Sequence, residues 1–153
     1  MKTKINLVLA LGLLMLASLG CGQSDENGFY FTTANISDLK FGTNKDAKPS
    51  SEIFSPEDKI YIVSSVNNTG SKHKVRVVLF YEDVNGEEPG SVAKDFGELD
   101  VPGEYSFNCW IYAKRGVLQT GRYRAQAVLL DEDGIREIDR KEGTFDIVDN
   151  YER

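Results

Sequence analysis

The chain has 153 residues, 41% of them hydrophobic, and a formal net charge of −6. That length fits one domain plus an address segment, and the apolar content suffices for a core. Losing Lys2 and Lys4 with a cleaved leader takes the charge to −8, no basic patch offers the phosphate neutralisation that nucleic-acid binding needs, and two cysteines are too few for a disulfide framework.

Met1–Gly20 opens with Lys2 and Lys4. An apolar run then extends from Ile5 to Leu19, broken by Asn6, Gly12 and Ser18. A charged start followed by an apolar stretch is the pattern of a secretory leader, and it is short for a spanning helix, which needs ~20 apolar residues. The run ends at Ala17-Ser18-Leu19-Gly20-Cys21. These five residues resemble the lipobox of bacterial lipoproteins, with Ser18 where Leu is usual. The resemblance implies cleavage before Cys21, diacylglycerol on its thiol and a membrane partner reached through that lipid. Several acyl chains together anchor stably, at ~0.8 kcal/mol per buried CH₂. Gly22 stands where an Asp would favour inner-membrane retention in Gram-negative lipoproteins. The resemblance therefore implies the cell envelope, and the outer membrane if the host has one. Gln23–Gly28 is short and polar and reads as a flexible tether. The expected organisation is a signal peptide over 1–20, a lipidated tether over 21–28, a folded domain over 29–149 and a tail over 150–153.

The mature chain reads as strands. Phe29–Phe41 carries one or two, 43–51 is a loop, and Ser55-Pro56-Glu57-Asp58 turns into the next strand. Lys59–Tyr81 organises the rest: Ile60, Ile62 and Val66 share one face, Val75, Val77, Leu79 and Tyr81 another, and the polar stretch Asn67–Lys74 lies between them. Side chains alternate across a strand, so this stretch predicts a β-hairpin whose return strand is central to its sheet. Asn85-Gly86 signals a turn, a weaker strand covers Ser91–Phe96, and Val101-Pro102-Gly103 signals another turn. Tyr105–Ala113 and Arg122–Leu130 alternate again. Asp131-Glu132-Asp133-Gly134 turns into a last, interrupted strand over Ile135–Ile138 and Thr144–Val148. No helical period survives in the mature chain. Seven or eight strands separated by Gly, Pro and Asn turns predict an all-β antiparallel sandwich.

Leu118-Gln119-Thr120-Gly121-Arg122-Tyr123-Arg124-Ala125 is similar to the L-x-x-G-x-Y-x-hydrophobic run entering the sixth strand of immunoglobulin-like and fibronectin-type sandwiches. The likeness implies a tyrosine corner, with the Tyr123 hydroxyl bonded to the chain a few residues upstream and Gly121 permitting the tight entry. Ala125 stands where antibody domains carry their second cysteine. The implied fold is thus an immunoglobulin-like β-sandwich without that disulfide.

Chemistry-bearing residues are sparse. His73, the one histidine, falls at the polar tip between the two strands and is expected to be an exposed loop residue, since catalysis or zinc requires partners. Cys109 alternates with Phe107 and Ile111 and is expected to be an inert core thiol. Asp131 and Asp133 are the weak metal candidates, but their spacing fails the D-x-D-x-D-G-x₅-E calcium loop, and a turn explains them. The second acidic stretch, Asp83 with Glu87-Glu88, would make a cation site with them only if both lay at one end of the sandwich. Trp110 and Tyr112 share a face and form the candidate surface for a ligand or partner. No nucleophile–base pair, metal cluster or phosphate loop is present, so no cofactor and no catalysis are expected. The expected function is a non-catalytic, lipid-anchored envelope module that binds an envelope protein or helps assemble an envelope complex. A carbohydrate-binding module using Trp110 is the alternative.

Overall fold

The structure is a computed structural model, and it describes residues 33–103, 105–112 and 118–149. Cys21, the tether and Phe29–Phe31 lie outside the described residues. The described chain is all-β. Its strands are β1 (Asn35–Ile36), β2 (Lys40–Gly42), β3 (Ile53–Phe54), β4 (Lys59–Asn67), β5 (His73–Val84), β6 (Val92–Val101), β7 (Tyr105–Tyr112), β8 (Gly121–Leu130) and β9 (Glu137–Ile147). Nine segments result where seven or eight strands were expected, because the short pieces β1, β2 and β3 pair separately.

Two sheets form. In the first, β4 is central, with β7 along one edge and β1 and β2 sharing the other. The second runs β3-β9-β8-β5-β6, antiparallel except for the β3–β9 pair. The strands alternate because each buries one stripe: Ile60, Ile62, Ser64 and Val66 of β4 lie against Val75, Val77 and Leu79 of β5 and Tyr123, Ala125, Ala127 and Leu129 of β8. Each fully buried aliphatic or aromatic side chain contributes ~1.5–3 kcal/mol. The buried hydroxyl of Ser64 donates to the Ser37 carbonyl at 2.6 Å, as a buried polar group must find a partner.

The hairpin expected over Lys59–Tyr81 is not one. β4 and β5 belong to different sheets and face each other across the core. Period-two alternation reports which face is buried and is silent on which edge is paired. Both edges of β5 are filled, one by β6 and the other by β8. Residues 68–72 instead cross between layers, turning at Asn68 with φ 55°. Five residues at ~3.3 Å each easily span the ~10 Å between stacked sheets. The central position expected for β5 is what the pairing shows.

Two other boundaries move. The last strand is continuous from Glu137 to Ile147, because Lys141, Glu142 and Gly143 keep their backbone register with Ala127, Gln126 and Ala125. Ile135 belongs to the turn before it and is 84% exposed. The strand expected to end at Phe96 runs to Val101, which is fully buried.

Candidate functional site

Tyr123 anchors the wider half of the core. Its ring is 1% exposed, stacks on Phe145 with centroids 5.6 Å apart, and packs at 5.6 Å against Tyr81. Its hydroxyl donates to the Gln119 carbonyl at 3.0 Å and accepts from the Gln119 amide at 3.1 Å. Burial raises the phenol's pKa, and the bond from the Gln119 main chain works against that. Gly121 starts β8 at φ 146°, and a Cβ there would stand 2.3 Å from the Asp83 carbonyl oxygen. Only glycine lets β8 lie that close to the end of β5. Both residues serve the architecture of this end of the sheet.

Trp110 and Tyr112 lie in β7, in backbone register with Tyr61 and Lys59; their side chains are outside the described set. Cys109, on the same strand, is half-buried beside the smaller half of the core. Burial pushes its thiol up to about 11, so little nucleophilic thiolate exists at neutral pH.

The two acidic stretches lie at opposite ends of the second sheet, which removes the shared cation site that depended on their meeting. Val84, leading into 85–91, pairs with Gly121, whereas Leu130, leading into 131–136, pairs with Lys74. Asp131 accepts the amides of Ile135 at 3.0 Å and Arg136 at 3.2 Å. Those bonds, with the Arg136 guanidinium nearby, hold its carboxyl below the usual carboxylate value. The group caps a turn. Among the described residues no cluster of three or more His, Cys, Asp or Glu is placed to hold a metal.

His73 corrects the sequence reading. It is 4% exposed, opens β5 and continues the inward stripe of Val75, with Nδ1 donating to the Ser71 carbonyl at 2.7 Å. The inward register of the strand reaches one residue further than polarity suggested. His73 also lines a cleft of about 310 Å³ with Lys72, Asp100, Val101, Pro102 and Glu132. A second cleft of about 430 Å³ runs along Leu39–Phe41 and Ser50–Ile53. Neither has a local sequence signal, since separate connections build the walls.

The outer face of the second sheet carries a charged lattice. Arg124 bonds Glu82 and Glu142 and lies 4.6 Å over the Phe80 ring. Arg122 holds Asp146 through two bonds of 2.9 and 3.0 Å. Arg76 bonds Asp95, whose carboxyl is held low first by that guanidinium and then by the Gly97 amide. These charges are engaged with each other across neighbouring strands.

No family model matches the chain, and no curated protein matches it. Among solved structures it is similar to a β-glucuronidase of Bacteroides uniformis, with 12% identity and a TM-score of 0.52, over 74% of this chain. It is also similar to a β-glucosidase of Erythrobacter marinus, with 14% identity and a TM-score of 0.54, over 79% of this chain. The matches span only 14% and 16% of those proteins. At such identity the likeness is one of fold alone.

Proposed function

We propose that the chain is a non-catalytic, lipid-anchored module of the cell envelope, an immunoglobulin-like sandwich that binds an envelope protein. The observation that carries the reading is the leader ending in Leu19-Gly20-Cys21, which makes Cys21 the acylated N-terminus of the mature protein. Outer-membrane residence follows from Gly22 in a host with two membranes. The immunoglobulin-like assignment is supported by the split of β4 and β5 between two sheets and by the Tyr123 hydroxyl bonded to the Gln119 main chain. The non-catalytic assignment is supported by where the ionisable groups point: Arg124, Arg122, Arg76 and Asp131 serve structural bonds, and His73 bonds a neighbouring carbonyl. The alternative is carbohydrate binding through Trp110 and Tyr112. The glycosidase names of the structural neighbours lend it nothing, because those matches are partial and of fold alone.

Crosslinking in intact envelopes, followed by capture of the acylated protein, tests the reading. Enrichment of one envelope protein, lost with Cys21→Ser, is the expected result. Recovery of no protein, with saturable binding to glycans that Trp110→Ala abolishes, would favour the alternative.

A further inference from the structure

A β-sandwich leaves strand edges, and this one treats its edges unequally. On one side, β9 is covered in part by β3, the Ile36 amide of β1 donates to Asp139 at 2.8 Å, and the Ser51 amide bonds the Phe41 carbonyl of β2. Those contacts tie the two sheets together along that side. On the other side lie β6 and β7. β6 pairs only with β5 among the described residues, and it carries Lys94, Asp95, Glu98 and Asp100 and two register shifts. Charges and bulges on an edge strand are the usual devices against pairing with another chain. β7 has neither. It pairs with β4 through eight consecutive residues without a register shift, and among the described residues nothing pairs with its outer edge. Tyr105-Ser106-Phe107-Asn108-Cys109-Trp110-Ile111-Tyr112 contains no charge, no proline and no glycine. An edge of this length and unbroken register, unpaired among the described residues, is a template for another strand.

We propose that the free edge of β7 docks β7 of a second copy of this chain, antiparallel about a two-fold axis, joining the two first sheets into one. The proposal rests on the interaction-module reading and names the partner. Self-pairing suits this strand because like charges opposite each other are what disfavours it, and β7 has none to oppose. The same operation on β6 would set an edge with three acids and one lysine against itself. A two-fold axis normal to the sheet sets one residue opposite its own copy, and the middle of β7 is Asn108–Cys109. On the lipid-anchored reading, holding both copies in one membrane raises the effective concentration of each for the other.

The test uses the full-length acylated chain in native envelopes. In a Cys109→Ser background, Asn108→Cys and the pair Asn108→Cys with Trp110→Cys sample the central registers. Opposed Cα atoms lie roughly 4.5–5.5 Å apart, within the range a disulfide spans. Mild oxidation is expected to give a band at twice the chain mass, with a control Asp95→Cys on β6 remaining monomeric. Asn108→Lys should lower the dimer fraction of the detergent-extracted protein several-fold in light scattering, with an unchanged β-sheet circular dichroism spectrum. Absence of the double-mass band in both cysteine variants overturns the proposal, as does crosslinking only to a chain of different mass. A wild type that stays membrane-bound while Cys21→Ser is released, with no crosslink in either variant, separates this failure from failure of the anchored-module reading.

Discussion

Replacing Tyr123 tests how the domain is held together. Its ring fills the space between Phe145 and Tyr81, and its hydroxyl makes two bonds to the main chain of Gln119. Tyr123→Phe keeps the ring and removes both bonds. Gln119 is exposed, so water can take over its amide and carbonyl. The expected cost is therefore the net value of a hydrogen bond or slightly more, about 1–1.5 kcal/mol. Tyr123→Ala also empties the ring's volume beside Phe145 and should cost about 3–5 kcal/mol, a large part of the ~5–15 kcal/mol a domain has. Gln119→Ala separates main chain from side chain. Among the described residues its side chain bonds Glu87 alone, at 3.2 Å on the surface, so the loss should stay within ~0.5 kcal/mol. Urea melts of the Cys21→Ser protein carrying each change give the values. Tyr123→Phe and Tyr123→Ala both as stable as the parent would refute the corner as a structural element. A Gln119→Ala cost equal to that of Tyr123→Phe would refute the main-chain account of its bonds.

Gly121→Ala should cost about 2–4 kcal/mol in the same melts, because its Cβ would collide with Asp83 and Val84 at a φ that L-residues avoid. Asp131 titrates below its ordinary value of 3.8 when folded, so its contribution is present at neutral pH and lost as pH falls through the folded value. Carboxyl NMR titration should give a midpoint below 3.8, and the amides of Ile135 and Arg136 should shift with the same midpoint. Native Cys109, raised from 9.0 to about 11, should label with thiol reagents at least ~100-fold more slowly at pH 8 than the unfolded chain, and speed up as pH approaches 11. Labelling at the unfolded rate would mean the thiol is not buried.

What the residues disclosed and what they withheld follow one physical line. Alternation is a property of faces, so the buried stripes of β4, β5 and β8 could be read directly, as could the Asn85-Gly86 turn into β6. Edge pairing has no side-chain signature, and for that reason β4 and β5 looked like partners when they are opposing layers. The same silence hid which edge of β7 is paired, visible only once β4 is known to lie along one side of it. His73 misled because its polar neighbours Lys72 and Lys74 suggest solvent, whereas its place in the strand register points it inward. The 131–134 acids could be read as a turn from their flanking strands, but which amides Asp131 accepts could not. The charged lattice around Arg124 needs β5, β8 and β9 side by side, an order that no local pattern states.

The central claim is that Cys21 carries the lipid that holds this sandwich at a membrane, and fractionation of cells expressing the wild type or Cys21→Ser tests it most directly. The account predicts wild-type protein in the membrane pellet, resistant to high salt and released by detergent, and the serine variant in the soluble fraction. Equal partition of the two would contradict it.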